Sequence, residues 1–469
     1  MQSNYHTSSS LPLDLDATAF CNLVNEAAAF LGEYLERLPQ RPVWCATGGT
    51  FPENFGPMEE GRPLHELLNI LRVASQGGTS NASGGFMAFI PNGGLAATAA
   101  ADLISDVLNK YTGVSFAAPG LVALERDLLR WIVQVMGLPK SAACILTSGA
   151  SLATVSALAC VRESKPLEDL RAATIYLTDQ THSAVAKAAR LVGFPRMCLR
   201  HVVTDSNHHM NVAALEDLIL EDRAAGRVPL CIVATAGSTN TGAVDPLPAL
   251  ADIAAREGVW LHVDAAYGGF FRLTERGRAK LEGMELADSI VLDPHKGLFL
   301  PFGTGCLLVR DEAVLRRAHA EDEGVYRRDI PAGGLPSFSE ITPELTRPYR
   351  GLRLWLPLHL HGVAPFRQAL DAQLDFARRV YEELSHMSGV EVQSPPELSV
   401  VAFRLHTDAA TEALVKSINN SGRVMISTTQ INERTYARVA LLSHRTRDHH
   451  VDALVEEISR GMSIGTRLR

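Results

Sequence analysis

Two short segments of this 469-residue chain combine residue types suited to imine chemistry. The first, WLHVDAAYGGF (260–270), ends an apolar run on Asp264 and follows it with Ala265, Ala266, Gly268 and Gly269. A carboxylate at the carboxyl end of a strand, beside side chains this small, sets one negative charge next to room for a flat ring. The second, SIVLDPHKGLFLPFGTG (289–305), places Lys296 just beyond another β-rich run, after Asp293, Pro294 and His295. A lysine held there and partly desolvated has a lowered pKa and can form an imine. Taken singly, a strand-end Asp is more often a turn former and a lone Lys a solvated charge. Their combination, 32 residues apart and compatible with one helical crossover, reverses that reading.

Both segments need strands to carry them. From about 97 to 310, helical stretches (Ala97–Asn109, Leu121–Met136, Ser151–Val161, Ser183–Val192, Val212–Ala225, Pro246–Glu257) alternate with β-rich runs. Those runs are Ala143–Leu146, Ala173–Leu177, Cys198–Val203, Leu230–Ala234, Val259–Val263, Ser289–Leu292 and Gly305–Val309. The alternation predicts an α/β sandwich around a mostly parallel central sheet flanked by helices. Ligands of such sheets sit beyond the carboxyl ends of the strands, where Asp264 and Lys296 fall.

An amphipathic helix is expected over about 18–37, capped by Asp16 and ended by Pro39 and Pro42. Residues 47–94 are rich in Gly and Pro and read as loop, either lining a site or simply connecting. Residues 310–350 break the rhythm with Gly333, Gly334, Pro336, Pro343 and Pro348, and are expected to form a long mobile loop. A small C-terminal α+β unit should follow: a helix around 352–384, strands near 400–405, 424–428 and 438–442, and a last helix over 450–460. The expected division is 1–95 (N-terminal helical and loop segment), 96–350 (large domain) and 351–469 (small C-terminal domain).

Net charge is −8, from 44 basic and 52 acidic residues. That argues against a nucleic-acid or anionic-membrane binder, which needs a basic field. The start, MQSNYHTSSSLPLDLD, lacks the basic and apolar pattern of a signal peptide. The apolar stretch 142–161 is interrupted by Thr147, Ser148, Gly149, Ser151, Thr154 and Ser156, so it reads as strand, turn and helix. Seven scattered cysteines without a CxxC pair suggest reduced thiols in a cytoplasmic protein and no zinc site.

HVDAAYGG together with DPHKG resembles the pyridoxal-phosphate (PLP)-dependent group II amino-acid decarboxylases, of the aromatic-L-amino-acid and glutamate decarboxylase type. The resemblance runs from about Phe86 to Glu457. It implies the PLP-dependent transferase fold type I, aspartate-aminotransferase-like, and a homodimer with shared active sites whose N-terminal segment packs on the partner. It implies that Lys296 holds PLP as a Schiff base, that Asp264 pairs with the pyridine nitrogen, and that Ala266 lies beside the ring. LTDQTHSAVAKA (177–188) resembles the segment whose His stacks on that ring, here His182. LTSGASLATV (146–155) resembles the phosphate turn, with Ala150 and Ser151 at a helix N-terminus. ATAGSTNTGAVDP (234–246) places Thr239 at the position of a contact to cofactor or substrate. His295 and Asp293 precede the lysine as further cofactor contacts.

Two departures carry consequences. The aromatic members often have Asn where this chain has Asp293, and an anion near a phosphate is unfavourable unless turned away or hydrogen-bonded. Aligning PYRGLRLW (348–355) with the family's RxFRxLKxW segment puts Phe338 where a loop Tyr usually helps protonate Cα. A phenyl ring cannot donate a proton. In plant aromatic aldehyde synthases a Phe there accompanies decarboxylation-dependent oxidative deamination to aldehyde, ammonia and peroxide. That is the alternative to simple decarboxylation to amine and CO2, with Ser337, Ser339, Glu340 or water as other proton donors. A non-catalytic relative is a further alternative, opposed by the presence of Lys296, Asp264 and His182. For the substrate pocket, GGFMAFIPNGG (84–94) offers Phe86, Phe89, Ile90 and Pro91, and YTGVSFAAPG (111–120) offers Phe116 from a partner subunit. These apolar walls favour an aromatic or aliphatic amino acid, although Arg350 or Arg353 could recognise a carboxylate.

Overall fold

A computed structural model describes residues 13–46, 56, 59–320 and 336–467. The chain opens with α1 (Ala17–Arg37), capped by the Asp16 carboxylate on the Ala19 N–H. The strand pair β1 (Trp44–Cys45) and β2 (Gly78–Thr79) encloses α2 (Leu64–Ala74). Helices α3 (Ala97–Leu108) and α4 (Pro119–Val135) lead into the large sheet.

That sheet alternates as its sequence pattern predicts: β3 (Ala143–Thr147), α5 (Ala150–Ser164), β4 (Ala173–Leu177), α6 (Ser183–Leu191), β5 (Leu199–His201), α7 (Val212–Ala224), β6 (Val228–Thr235), α8 (Leu247–Glu257) and β7 (Trp260–Asp264). Then come α9 (Glu275–Lys280), β8 (Ser289–Leu292), α10 (Pro294–Gly297), β9 (Gly305–Val309) and α11 (Glu312–His319). The strand order is β3-β9-β8-β7-β6-β4-β5. Only β9 runs against its neighbours β3 and β8. Residues of β3, β4 and β8 are buried at every position, the mark of a sheet covered on both faces.

The helix expected over 352–384 is two helices, α12 (Gly351–His361) and α13 (Ala364–Ser385), broken at Gly362, whose φ of 72° a residue with a side chain rarely adopts. Next are β10 (Glu391–Val392), β11 (Val400–Arg404), α14 (Asp408–Asn420), β12 (Ser427–Ile431), β13 (Arg434–Ala440) and α15 (Asp448–Arg467). The small antiparallel sheet has the order β10-β11-β13-β12. β12 and β13 form a hairpin through Asn432 and Glu433, both at positive φ, which suits the twist of a two-residue turn.

The segment 85–88 is stitched to this small sheet. Met87 N–H donates to the Met425 carbonyl, and Ala440 N–H donates to the Met87 carbonyl. Part of the N-terminal region is thus integral to its own subunit's C-terminal unit. No helix among the described residues is long and apolar enough to cross a membrane.

Candidate active site

At the carboxyl edge of the large sheet, Thr235 lies opposite Asp264 and Asp264 opposite Val291. Neighbouring strands are about 4.8 Å apart, so the turns after β7 and β8, carrying Asp264–Ala266 and Asp293–Lys296, are adjacent. His182 follows β4, two strands from β7, roughly 10 Å away across the sheet. The topology therefore brings Asp264, Lys296, His182, Thr239 and the start of α5 to one edge.

Asp264 is half-buried at the last position of β7. One carboxylate oxygen accepts the Ala266 N–H at 3.1 Å, and among the described residues no cation pairs with it. Its other oxygen is free for a protonated ring nitrogen. On the same face of β7, burial pushes the His262 imidazole down to about 4, so that ring is neutral and does not compete for the carboxylate. The Thr235 hydroxyl, buried opposite Asp264, has no partner either.

Lys296 sits in α10, with Nζ 2.9 Å from Asp293 Oδ2. The other Asp293 oxygen accepts the Ala150 N–H at 2.7 Å. Asp293 is 2% exposed. The condition set by its charge is met: the carboxylate is hydrogen-bonded to the first amide of α5 and held against the lysine ammonium. His295 donates from Nδ1 to the Thr304 carbonyl at 2.7 Å. Burial holds its imidazole below the ordinary value, against the pull of Asp293.

The helix α5 starts where two backbones touch. A Cβ on Gly305 would lie 2.5 Å from Gly149, so only glycine fits there. The Ser148 and Ser151 hydroxyls are exposed and make no hydrogen bond among the described residues. Free hydroxyls at the N-terminus of a 15-residue helix suit a phosphate monoester. His182 is the N-cap of α6, its Nδ1 accepting the Ala184 N–H at 3.2 Å, which leaves the hydrogen on Nε2 of the neutral ring. The capping bond fixes an exposed imidazole in place, so the helix-start and ring-stacking roles are compatible. The donor set thus fits PLP: an amine on Lys296, a free carboxylate oxygen on Asp264, a flat imidazole on His182 and a helix terminus for the phosphate.

Three residues after Lys296, Phe299 adopts φ 58°, a conformation costing a bulky residue about 1–2 kcal/mol. Its N–H donates to the Lys296 carbonyl, and its carbonyl accepts the Leu95 N–H.

Several expectations are corrected by packing. Gly268 and Gly269 do not clear space for a ring; a Cβ on Gly268 would lie 2.2 Å from the Ala236 carbonyl, and one on Gly269 2.1 Å from Leu292. They let the turn press against β6 and β8. Ile90 is 3% exposed and belongs to the main core, and Phe86 is fully buried against Val43 and Ala88, so neither is a pocket wall. Phe89 and Phe116 remain exposed and Pro91 half-exposed. Arg350 makes a two-pronged ion pair with Glu344, at 2.7 and 2.9 Å, and Arg353 pairs with Asp102, so neither is free to bind a carboxylate.

Phe338 is also corrected. It is 1% exposed, part of the main core, with the Arg347 guanidinium 4.2 Å over its ring. Arg347 in turn forms a fully buried, two-pronged pair with Glu125. Residues 311–320 contain α11, and 336–350 are packed rather than mobile; the expected loop between them, with Tyr326, lies outside the described residues. A phenyl ring covered by Arg347 inside its own subunit is a core residue and does not occupy the place of a loop proton donor.

Sequence reasoning passed over Arg438, a buried guanidinium without a carboxylate partner among the described residues. It donates to the Thr239 carbonyl (3.0 Å), the Ala88 carbonyl (3.1 Å) and the Ser427 hydroxyl (3.1 Å). One side chain ties the Thr239 turn, the loop before Phe89 and the small sheet together. An Arg inside the apolar run ARVALL was its only sequence signal. Tyr267 adds a second tie, its hydroxyl accepting the Ser399 N–H at 2.7 Å.

Comparison with known proteins finds relatives along most of the chain. The family described as "Pyridoxal-dependent decarboxylase conserved domain" matches residues 65–406. The chain is 36% identical over 468 residues to an aromatic-L-amino-acid decarboxylase of Bacillus atrophaeus, covering 95% of this chain and 98% of that one. Its fold is similar to Oryza sativa TDC solved with PLP and tryptamine (TM-score 0.90, 27% identity, 97% of this chain and 99% of that one). It is also similar to Catharanthus roseus tryptophan decarboxylase solved with L-tryptophan (TM-score 0.88, 26% identity, 96% and 99%).

Proposed function

Because the chain belongs to the pyridoxal-dependent decarboxylase family, we propose that it removes CO2 from an aromatic L-amino acid and that two copies build each active site. That it is a PLP-dependent amino-acid carboxy-lyase follows from the family; the substrate class and the assembly are the proposal. Bound PLP supplies an electron sink for the pair left at Cα when CO2 departs. Lys296 Nζ would carry the cofactor, and the free oxygen of Asp264 would hold the proton on its pyridine nitrogen. The Ser148–Ser151 turn takes the phosphate. His182, fixed by its capping bond, would pack on the bound cofactor and help to orient the substrate for cleavage.

The observation that carries the substrate class is a pair of exposed aromatics, Phe89 and Phe116, where the family has its pocket, with Arg350 and Arg353 already spent on Glu344 and Asp102. An apolar wall without a free arginine favours an aromatic over an acidic side chain. The relatives' names, which specify aromatic amino acids and tryptophan, point the same way. A panel of aromatic, aliphatic, acidic and diamino acids, assayed for amine and peroxide together, tests this. Aromatic substrates are expected to give amine without peroxide; preference for glutamate would overturn the reading.

Dimerisation is supported by apolar side chains left uncovered on the first three helices. The helix α1 buries only Ala19 and α2 buries nothing, while Leu71, Val107 and Leu108 are about half exposed. Such a surface suits an obligate interface. Light scattering checks it: a monomeric, fully active species would contradict it. The cytoplasmic assignment rests on seven cysteines that form no disulfide among the described residues, and the exclusion of nucleic acid on the net negative charge.

A further inference from the structure

A cavity lies between the turn that follows Lys296 and the helix α13. Its volume is about 460 Å³, enough for a one- or two-ring molecule. The walls are apolar: Leu95, Phe299, Phe366, Ala369, Ala372 and Phe376. Two lining residues hold a buried polar atom without a partner among the described residues, Gln373 Oε1 and His444 Nδ1. Gln373 is 1% exposed; its amide nitrogen donates to the Ala369 carbonyl of its own helix, and its oxygen Oε1 has no partner among the described residues. A buried amide oxygen left unpaired is costly, and a ligand N–H or O–H relieves it.

The rim carries the positive charge of Arg447. His361, His444 and Arg447 line the cavity and no acidic residue does. Arg447 is exposed, donates only to the His444 and Thr446 carbonyls, and has no carboxylate partner among the described residues. His444 registers this field: burial first, then Arg445, Arg447 and His361, push its imidazole down to about 3. A mostly apolar pocket with two buried unpaired polar atoms, one of them the Gln373 acceptor, and a guanidinium at its mouth selects a ligand with complementary parts.

We infer that this cavity binds a small aromatic carboxylic acid, its ring among Phe299, Phe366 and Phe376, a ring N–H or O–H on Gln373 Oε1, and its carboxylate on Arg447. The site is separate from the cofactor edge but mechanically joined to it. Phe299 forms one wall, its ring against that of His444 (centroids 5.5 Å apart), and its backbone, in the left-handed region, bonds to Lys296 and Leu95. A ligand that pushes on Phe299 acts on the peptide of the catalytic lysine, so occupancy alters turnover without competing for substrate. An amine product meets an unfavourable field here, so the site is not one for product.

The test uses PLP-loaded enzyme and indole-3-acetate as probe, with tryptamine and indole as controls. Calorimetric titration is expected to show saturable binding of indole-3-acetate in the presence of saturating substrate analogue, and no binding of tryptamine. Arg447→Gln should weaken it at least about tenfold, the value of one lost charge-assisted pair. Ala372→Trp should fill the cavity and abolish it. Gln373→Leu should raise the unfolding midpoint of the free enzyme while shrinking the probe-induced shift, a combination that a merely structural Gln373 cannot give. In kinetics the probe should change kcat and leave KM for the substrate unaltered. Absence of binding overturns the inference, whether the cavity is inert or covered by a second copy. Binding that substrate displaces, or that survives Ala372→Trp, places the probe elsewhere and overturns it as well.

Discussion

The carboxyl edge of the large sheet and the segment 336–350 are built from the same kinds of charged residue, yet they use them in opposite ways. At the sheet edge Asp264 bonds one oxygen to the amide two residues on, and His182 caps its own helix. Each keeps one face or one atom unspent. In 336–350, Arg347 is closed onto Glu125 without exposure, Arg350 onto Glu344, and Phe338 is covered by Arg347. The one Arg347 donor left without a partner among the described residues, Nε, is sealed from solvent. A charge does chemistry when its partners are few and local; a charge closed onto an opposite charge inside the core holds the structure together.

Substitutions can break this contrast. Asp264→Ala should lower turnover roughly 10²–10⁴-fold, the range for removing a group that controls a proton, while leaving the unfolding midpoint nearly unchanged. Stopped activity with a lost fold would mean that the sheet edge is structural as well. Arg347→Ala should do the reverse. It strands a buried Glu125 and should destabilise by about 3–5 kcal/mol, measured by denaturant unfolding, with activity per folded molecule retained. Loss of activity in the folded variant would move that segment into the catalytic machinery.

Phe338→Tyr sharpens the point. It inserts a hydroxyl into a sealed site and should cost about 1–3 kcal/mol, with the amine-to-aldehyde ratio unchanged. A shift in that ratio would restore the oxidative alternative. The smallest effect concerns pH. His209 bridges Asp205 and Glu397, joining the large sheet's loops to the small unit. Its imidazole is raised, chiefly by the hydrogen bond to Glu397. The folded value exceeds the unfolded one, so the stabilisation is full below about pH 6.5 and is lost as pH rises through the raised value. His209→Gln should flatten the alkaline side of the unfolding midpoint against pH; an unchanged profile would show that the bridge does not titrate.

The contrast also explains what was legible in the sequence. The β-rich runs over 143–309 formed strands within a few residues of expectation, because alternating helix and strand leaves its signature in apolar runs punctuated by glycine. Asp264 and Lys296 were legible because strand ends are where α/β sheets bind ligands. Pairing was not legible. Whether Arg350 meets a substrate or Glu344, six residues away, depends on a turn that composition does not specify. Phe338 was misplaced because alignment to PYRGLRLW counts residues and cannot see that Glu125, 222 residues from Arg347, draws the segment inward. Gly268 and Gly269 were read as space for a ring, when the nearest obstacles are Ala236 and Leu292 of neighbouring strands. Arg438 was missed because a buried cation serving three acceptors has no local pattern.

The central claim is that Lys296 carries the cofactor. Borohydride reduction of the PLP-loaded enzyme followed by peptide mass mapping tests it most directly. The account predicts a single reduced pyridoxyl adduct on the peptide SIVLDPHKGLF, at Lys296, and none in Lys296→Ala. An adduct on another lysine, or none after loading with PLP, would contradict it.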